Sequence, residues 1–282
     1  MATATAISRH TKGFGLNERI DNWWVGPLAV LGGLLAFIVY STWAAFQGNH
    51  YSVGMSEGFG GYLSPMYSPL VYVMEGVEGG APLSHSLLGA WPDWWPSFLP
   101  ASPAFLILGF PVLFRFTCYY YRKAYYRAFT GTPPACAVGA LPRRSRYVGE
   151  TGLMLVQNLH RYALYFAVAL IFILSYDAVL SFFRDGVFGV GVGSIVLLIN
   201  PILLGSYTFG CHSFRHLMGG RRDCFSCDAR AKVAHGNWKW ITKLNENHQL
   251  LAWCSLIWVG GTDVYVRLVS MGMITDLNTW GV

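Results

Sequence analysis

Five long apolar segments, separated by polar or glycine-rich stretches, dominate the pattern of residues along the chain. They lie at about 25–45, 103–122, 158–181, 187–211 and 248–270. Each is close to the length of about 20 residues that a helix needs to cross a bilayer core of about 30 Å. The pattern therefore predicts an all-α integral membrane protein, a five-transmembrane-helix bundle that forms a single membrane domain over residues 1–282.

The connection between the first two apolar segments is long and is not typical of a free linker. Residues 47–102 are rich in glycine, proline and aromatic residues. A segment this apolar is expected to pack against the helix ends as a long outer loop. Two histidines, His50 and His85, lie in it, far from the other histidines, and we expect neither to bind a metal.

Composition supports a membrane location. Of the 282 residues, 54% are hydrophobic and only 12% are charged, about half of the roughly 25% that is usual in soluble domains. The polar head from Ser8 to Asn22 carries no cleavage signature, so we expect the N-terminus to be retained rather than removed as a signal peptide.

The positive net charge of +6 sets the topology and does not indicate nucleic-acid binding. Residues 46–102 contain no Lys or Arg, whereas three other stretches are strongly basic. Cytoplasmic loops carry such an excess, which places the N-terminus inside and the C-terminus outside. These inner cations are Arg9, Lys12, Arg19, Arg122, Lys123, Arg127, Arg143, Arg144, Arg146, Arg215, Arg221, Arg222, Arg230, Lys232, Lys239 and Lys243.

Histidines and cysteines concentrate on the same inner side, and the outer half of the apolar segments has no histidine. We expect one metal or electron-transfer site on that membrane face, with its thiols reduced as in the cytoplasm. Segment boundaries hold His160, Cys211, His212, His216 and His248, and Cys118 lies about one turn inside a segment. The inner loops hold Cys136, Cys224, Cys227 and His235.

The identity of the metal stays open on spacing alone. His212 and His216 would lie about 40° apart on one helix face, and the Cys224-x-x-Cys227 spacing suits zinc. Two stacked haems would need a second histidine pair near the outer face, so only one inner haem b is compatible. Mixed imidazoles and thiolates also suit a Rieske-type [2Fe–2S] centre.

Ionisable residues inside apolar segments are costly and usually functional. Asp263 and Arg267 are one turn apart and can form an ion pair; alternatively, Asp263 transfers protons to or from a quinone. At the inner interface, cations and aromatic rings could meet a quinone head group or serve as ordinary interfacial residues. The residues concerned there are Arg161, Arg215, Trp238 and Trp240.

Five short motifs carry a resemblance to a known family, and they occur in order along the chain. They are Arg115-Phe-Thr-Cys118-Tyr-Tyr-Tyr-Arg122, Pro133-Pro-Ala-Cys136-Ala-Val, Gln157-Asn-Leu-His160-Arg-Tyr162, Gly210-Cys-His-Ser-Phe-Arg-His216 and Leu244-Asn-Glu-Asn-His248. Together they resemble the single-chain, five-helix, cytochrome b-like membrane anchor of an actinobacterial-type succinate dehydrogenase, a respiratory complex II.

The resemblance implies a multi-pass protein of the bacterial inner (plasma) membrane. Such an anchor docks a flavoprotein and an iron–sulfur subunit on the cytoplasmic face and delivers electrons to a quinone, here menaquinone. Some family members are described with a Rieske-type [2Fe–2S] cluster in the anchor. The alternatives are the same role with one inner haem b, or a transport or structural protein with a Cys/His zinc site.

The motifs narrow the metal candidates to seven residues, and Cys224 and Cys227 fall outside them. Two cysteines and two histidines of this set would be the ligands of a Rieske-type cluster, and the spacing does not select them. The seven are Cys118, Cys136, Cys211, His160, His212, His216 and His248.

Overall fold

The computed structural model describes residues 13–55, 61–141, 151–220 and 222–280, and this part of the chain is mostly helical. The predicted inner cations Arg9, Lys12, Arg143, Arg144, Arg146 and Arg221 lie outside the described residues. The helices are α1 Val25–Gln47, α2 Ala104–Ile107, α3 Gly109–Thr117, α4 Tyr119–Ala128, α5 Thr151–Leu180, α6 Val192–Phe209, α7 His212–Met218, α8 Ala229–Glu246 and α9 His248–Ser270. A 3₁₀ turn spans Leu83–His85, and two antiparallel strand pairs join β1 Ser52–Val53 to β2 Tyr62–Leu63 and β3 Phe183–Arg184 to β4 Val187–Phe188.

Three described helices are long and apolar enough to cross a membrane: Val25–Gln47, Leu155–Leu180 and Val192–Phe209. The number of candidate spans rises to four if α2 and α3, together with α4 beyond the bend, form one span. The predicted count of five is not reached. Helix α9 begins and ends at the predicted residues and has 23 of them, but Asp263 and Arg267 lower its mean hydropathy.

The second predicted span, 103–122, is wrong as a continuous helix. The chain turns by 79° between Thr117 and Tyr119, and the backbone of Cys118 is extended, with φ −63° and ψ 132°. The guanidinium of Arg115 donates to the hydroxyl of Tyr121 across this break, at 2.5 Å. Cys118 therefore lies at a helix junction and not one turn inside a span.

The fourth predicted span begins too early. Residues 187–188 belong to the β3–β4 hairpin, and α6 starts at Val192. The turn predicted at Arg184-Asp185-Gly186 is confirmed, because Asp185 and Gly186 both have positive φ, 50° and 75°. Two consecutive positive φ values are the signature of a tight two-residue hairpin turn.

The polar inner segment after α6 was predicted to be a loop that contains His235, and this prediction is wrong. It folds into α7 and the 18-residue helix α8. The side chain of Asp228 accepts a hydrogen bond from the amide of Ala231 and so caps α8. An aspartate at this position satisfies an amide that has no partner inside the helix.

The chain divides into two compact units, Met1–Val39 with Arg115–His160, and Tyr40–Phe114 with Arg161–Val282. In the second unit, α6 packs along α9, and the indole of Trp258 donates to the carbonyl of Val196 at 3.0 Å. Tyr62 is fully buried in the core of this unit with Leu197 and Val266. A side chain at Gly193 would collide with the Tyr62 ring, so only glycine fits there.

The described part of the outer segment packs back onto the helices of the second unit, as predicted. The hydroxyl of Ser64 donates to Asp263 on α9, and that of Ser68 donates to Asp177 on α5. The hydroxyl of Tyr67 donates to the carbonyl of Ala44 on α1, at 2.5 Å. These buried hydrogen bonds fasten one short stretch of the segment to three helices.

The carboxylate of Asp276 holds the C-terminal segment in place. It accepts hydrogen bonds from the hydroxyls of Tyr62 and Tyr265, each at 2.6 Å, and from the amide of Gly193 at 2.9 Å. Burial, and then the hydrogen bond to Asp276, raises the pKa of Tyr62 to about 12. Tyr62 therefore stays protonated and acts as a donor at physiological pH.

The predicted ion pair between Asp263 and Arg267 is confirmed, with Nε and Oδ2 3.6 Å apart. Both side chains are buried. The hydroxyl of Tyr40 donates to Asp263 at 2.5 Å, and the guanidinium of Arg267 donates to the carbonyl of Asn49 at 2.9 Å and lies 5.1 Å from the ring centre of Trp43. These partners lie on α1 and directly after it, so the ion pair on α9 is held by that end of α1.

Substituting Asp263→Asn leaves the Arg267 guanidinium buried without a counter-charge. We expect a loss of about 3–5 kcal/mol in the free energy of unfolding, measured by thermal or denaturant unfolding in detergent. The double variant Asp263→Asn/Arg267→Gln should recover part of the loss, and the exposed control Asp93→Asn should change nothing. Equal stability of Asp263→Asn and the unaltered protein would contradict this role.

Candidate functional site

The seven candidate metal ligands are shared between the two units. Cys118, Cys136 and His160 belong to the first unit, and Cys211, His212, His216 and His248 belong to the second. Cys118, Cys211, His212 and His248 lie where helices start, whereas His160 and His216 lie within α5 and α7 and Cys136 lies in a turn.

In the first unit, His160 meets the break between α3 and α4. It is 7% exposed, and its Nδ1 lies 3.0 Å from the hydroxyl of Thr117. The next residue, Cys118, is buried at the start of α4. Thr117 thus fixes the orientation of the imidazole. The sequence did not predict this role, because a threonine in an apolar segment gives no signal of its own.

A buried cation lies one turn beyond Cys118. Arg122 donates its backbone amide to the carbonyl of Cys118 at 2.9 Å, and its guanidinium lies 5.2 Å from the ring centre of Tyr119. Among the residues that the structure describes, its NH1 atom is buried without a hydrogen-bond partner. Burying a charge is costly unless it is compensated, so Arg122 contributes positive charge to this junction. The sequence identified it only as a topology-setting cation.

Cys136 lies apart from this pair, at the surface of the first unit. Its thiol is exposed, and its carbonyl accepts a hydrogen bond from Arg19 at 2.9 Å. Backbone hydrogen bonds between Gly139 and residues 15 and 16 hold the same turn against the N-terminal segment. Cys136 therefore holds a surface turn in place through its backbone.

In the second unit, two helix junctions lie against each other. The α6–α7 junction at Gly210 and Cys211 meets the α8–α9 junction, because the side-chain amide of Asn245 donates to the carbonyl of Gly210 at 2.8 Å. The imidazole of His248 stacks on the ring of Tyr207, with centres 4.8 Å apart and planes at 16°. Two of the sequence motifs thus come together in space.

Helix α7 carries the remaining histidines. Its cap is Cys211, whose sulfur accepts a hydrogen bond from the amide of Phe214 at 3.2 Å. His212 is exposed, whereas Nδ1 of His216 lies 2.6 Å from the guanidinium of Arg161. Because arginine can only donate, Nδ1 of His216 is the acceptor and the imidazole carries its proton on Nε2.

Arg215, also on α7, contacts α8. Its guanidinium donates to the hydroxyl of Thr242 at 3.0 Å and lies 4.1 Å from the ring centre of Trp238. Trp238 in turn stacks on His235, at 5.8 Å. Arg161, Arg215 and Trp238 therefore line one region around α7. Trp240, the fourth residue predicted to meet a quinone, is 61% exposed and lies about 160° around α8 from Trp238.

The described residues do not form a multidentate metal site in this arrangement. No group of three or more His, Cys, Asp or Glu side chains among them converges closely enough to hold a metal ion. A Rieske-type cluster requires two cysteines and two histidines around one pair of irons. Neither unit by itself holds two cysteines and two histidines among the seven candidates.

The C-x-x-C pair differs from the expectation that its thiols are reduced. Cys224 and Cys227 form a disulfide, with Cα atoms 6.0 Å apart. The tight turn before Asp228 brings the two Cα atoms into the normal range for a disulfide. These cysteines are not available as a pair of thiolate ligands for zinc.

The fold and these junctions define a helical membrane subunit, and comparison with known proteins identifies its family. Residues 25–272 match the family described as actinobacterial succinate dehydrogenase subunit SdhC. A chain of the Mycobacterium smegmatis Sdh1 complex in the apo form is 43% identical, with a TM-score of 0.78 and 92% of each chain covered. No protein of curated function matches the sequence.

The chain therefore belongs to the actinobacterial SdhC family. It is the membrane subunit of a succinate dehydrogenase and takes part in catalysis only within that complex. The resemblance seen in the sequence motifs is thus confirmed for the family.

Asn245→Ala removes the hydrogen bond that joins the two junctions of the second unit. We expect a loss of roughly 1 kcal/mol in the free energy of unfolding, together with faster hydrogen exchange at the start of α9. Asn247→Ala is the matched control, because the Asn247 side chain makes only an exposed bond to Lys243. If both variants exchange at equal rates, the bond to Gly210 does not hold the junctions together.

Proposed function

We propose that this chain passes electrons from a soluble iron–sulfur subunit to a quinone while anchoring the succinate dehydrogenase in the bacterial inner membrane. Membership of the SdhC family supports the anchor role. The observations that carry the quinone role are the hydrogen bond from Arg161 to His216 and the contact of the neighbouring Arg215 with Trp238. Guanidinium donors suit quinone carbonyl oxygens, and an indole suits the flat ring.

The orientation that we propose follows from the distribution of charge. The N-terminus is cytoplasmic and the C-terminus is outside, so the helix junctions with their histidines and cysteines face the cytoplasm. A flavoprotein subunit and an iron–sulfur subunit dock on that face. The similar chain of Mycobacterium smegmatis is part of an Sdh1 complex, which supports the presence of partner subunits.

Menaquinone is the proposed acceptor, and its reduction takes up two electrons and two protons. Arg161 and Arg215 hold the carbonyl oxygens, where negative charge develops as electrons arrive. The proposed proton-transfer role of Asp263 draws support from its hydrogen bonds to the hydroxyls of Tyr40 and Ser64. Its ion pair with Arg267 equally suits a purely structural role, and unchanged quinone turnover by the Asp263→Asn variant would overturn the proton-transfer role.

For the redox centre, a [2Fe–2S] cluster of the Rieske type remains our first proposal. The donor chemistry supports it, because thiols and imidazoles occur together at the inner junctions. Such a cluster, when bound, carries single electrons. A single haem b is the second proposal, because it needs only two imidazoles.

Low-temperature EPR of the intact, reduced complex tests the redox centre. A Rieske centre adds a signal with low average g, which His212→Ala/His216→Ala should abolish, while His85→Ala in the outer segment should leave it unchanged. A signal that survives the double variant would move the ligands to His160 and His248. Sharp Soret and α absorption bands would indicate haem b, and a complex with neither feature would overturn both proposals.

Arg215→Gln should raise the KM for quinone roughly 10- to 100-fold, because a charge-assisted hydrogen bond contributes about 1.5–3 kcal/mol. Succinate oxidation with an artificial dye acceptor should stay normal, since it bypasses the membrane anchor. Arg222→Gln, an exposed cation of the same inner segment, is the control. An unchanged KM for quinone would show that Arg215 does not contact it.

A further inference from the structure

We propose that α8 presents a face that binds anionic phospholipid at the inner surface of the membrane. One side of this helix packs within the second unit, where Ala231 and Ile241 are buried and Trp238 lies under Arg215. The opposite side is open. This inference rests on the proposed cytoplasmic orientation of α8 and is independent of the nature of the redox centre.

Two large apolar side chains form a stripe on the open side. Val233 is 64% exposed and Trp240 is 61% exposed. They are seven residues apart, which places them within about 20° of each other and two turns apart along the helix. An apolar stripe that faces outward on a helix of a membrane protein is typical of contact with the headgroup and acyl-chain boundary.

Lysines flank this stripe on one side. Lys232, Lys239 and Lys243 are all exposed and lie about 60–100° around the helix from Trp240. Within the described residues none of the three forms an ion pair, and Glu246 at the C-terminal end is the one acidic residue of α8. Three unneutralised cations beside an apolar stripe are complementary to anionic headgroups above acyl chains.

A shallow groove, largely open on its outer side, continues the stripe toward α7. It is lined by Met218, Ala229, Arg230, Val233, Ala234 and Asn237. Val233 belongs to both the groove and the stripe. The apolar lining suits part of an acyl chain, and Arg230 at the groove suits the phosphate of the same lipid.

The chain connection places this face at the membrane. Only Asn247 separates α8 from α9, so Lys243 and Trp240 lie about one and a half and two turns of helix before the start of α9, the fifth predicted span. Tryptophan and lysine are the residues that prefer this depth, the indole among headgroups and the ammonium beside phosphates. A lipid surface therefore fits the face better than an acidic protein partner, which would leave Val233 and Trp240 without an apolar contact.

Brominated lipids test the proposal in the assembled complex. The complex is reconstituted in phosphatidylcholine vesicles that contain a minor fraction of either dibrominated phosphatidylglycerol or dibrominated phosphatidylcholine. The difference in tryptophan quenching between the unaltered complex and Trp240→Phe isolates position 240. We expect it to be larger with the brominated phosphatidylglycerol. Lys239→Gln/Lys243→Gln should lower this preference about tenfold or more, since each lysine near an anionic surface contributes roughly a fivefold factor.

The matched control is Lys123→Gln/Arg127→Gln, which removes the same charge from α4 and should keep the preference. Equal quenching of the unaltered complex and Trp240→Phe with both lipids would overturn the proposal. So would the loss of soluble subunits from the Lys239→Gln/Lys243→Gln complex, which would assign this face to protein docking. Failure of quinone reduction in the unaltered complex would instead contradict the proposed function and leave the lipid result standing.

Discussion

The buried carboxylate of Asp263 is the constraint on which the second unit depends. A negative charge in a low-dielectric interior must be compensated, and here the compensation comes from three separate stretches: Tyr40 on α1, Ser64 in the outer segment and Arg267 on α9. Arg267 then reaches the carbonyl of Asn49. Compensation of the Asp263 charge thus fixes the positions of α1 and α9 and of the outer segment that follows α1.

The helix ends near the candidate histidines and cysteines are organised by a different requirement, the satisfaction of polar groups where helices stop. Cys118 and Cys211 both occupy helix-start positions with extended backbone, and Asn245 supplies a donor to the carbonyl of Gly210. Helix junctions leave backbone groups without partners, so polar and ionisable side chains accumulate there. The same chemistry that closes the junctions also places imidazoles and guanidinium groups where the proposed docking of partners and quinone would occur.

The sequence predicted the helical membrane character, the bounds of α9, the outer hairpin turn and the Asp263–Arg267 pair, because each depends on local composition or on helical spacing. It did not predict the break at Cys118 or the helical α8. Thr117 and Cys118 are apolar enough to continue a span, and the departure of Cys118 from helical geometry is accompanied by the contacts of Thr117 with His160 and of Arg115 with Tyr121. The composition of α8 is polar, as is typical of loops, and helix formation there is supported by the packing of Ala231, Trp238 and Ile241.

The sequence by itself determined the family and the residues that can carry chemistry, since motifs and residue types are properties of the chain alone. Only the tertiary structure decided which of them meet: His160 with Thr117, His216 with Arg161, His248 with Tyr207, and Trp238 with Arg215, while Trp240 faces away. Cys224 and Cys227 paired with each other rather than serving as separate thiols. The physical reason is that the contacts of His160, His216, His248 and Trp238 join residues on different helices. Their geometry depends on where each helix bends and ends, which spacing along the chain does not specify.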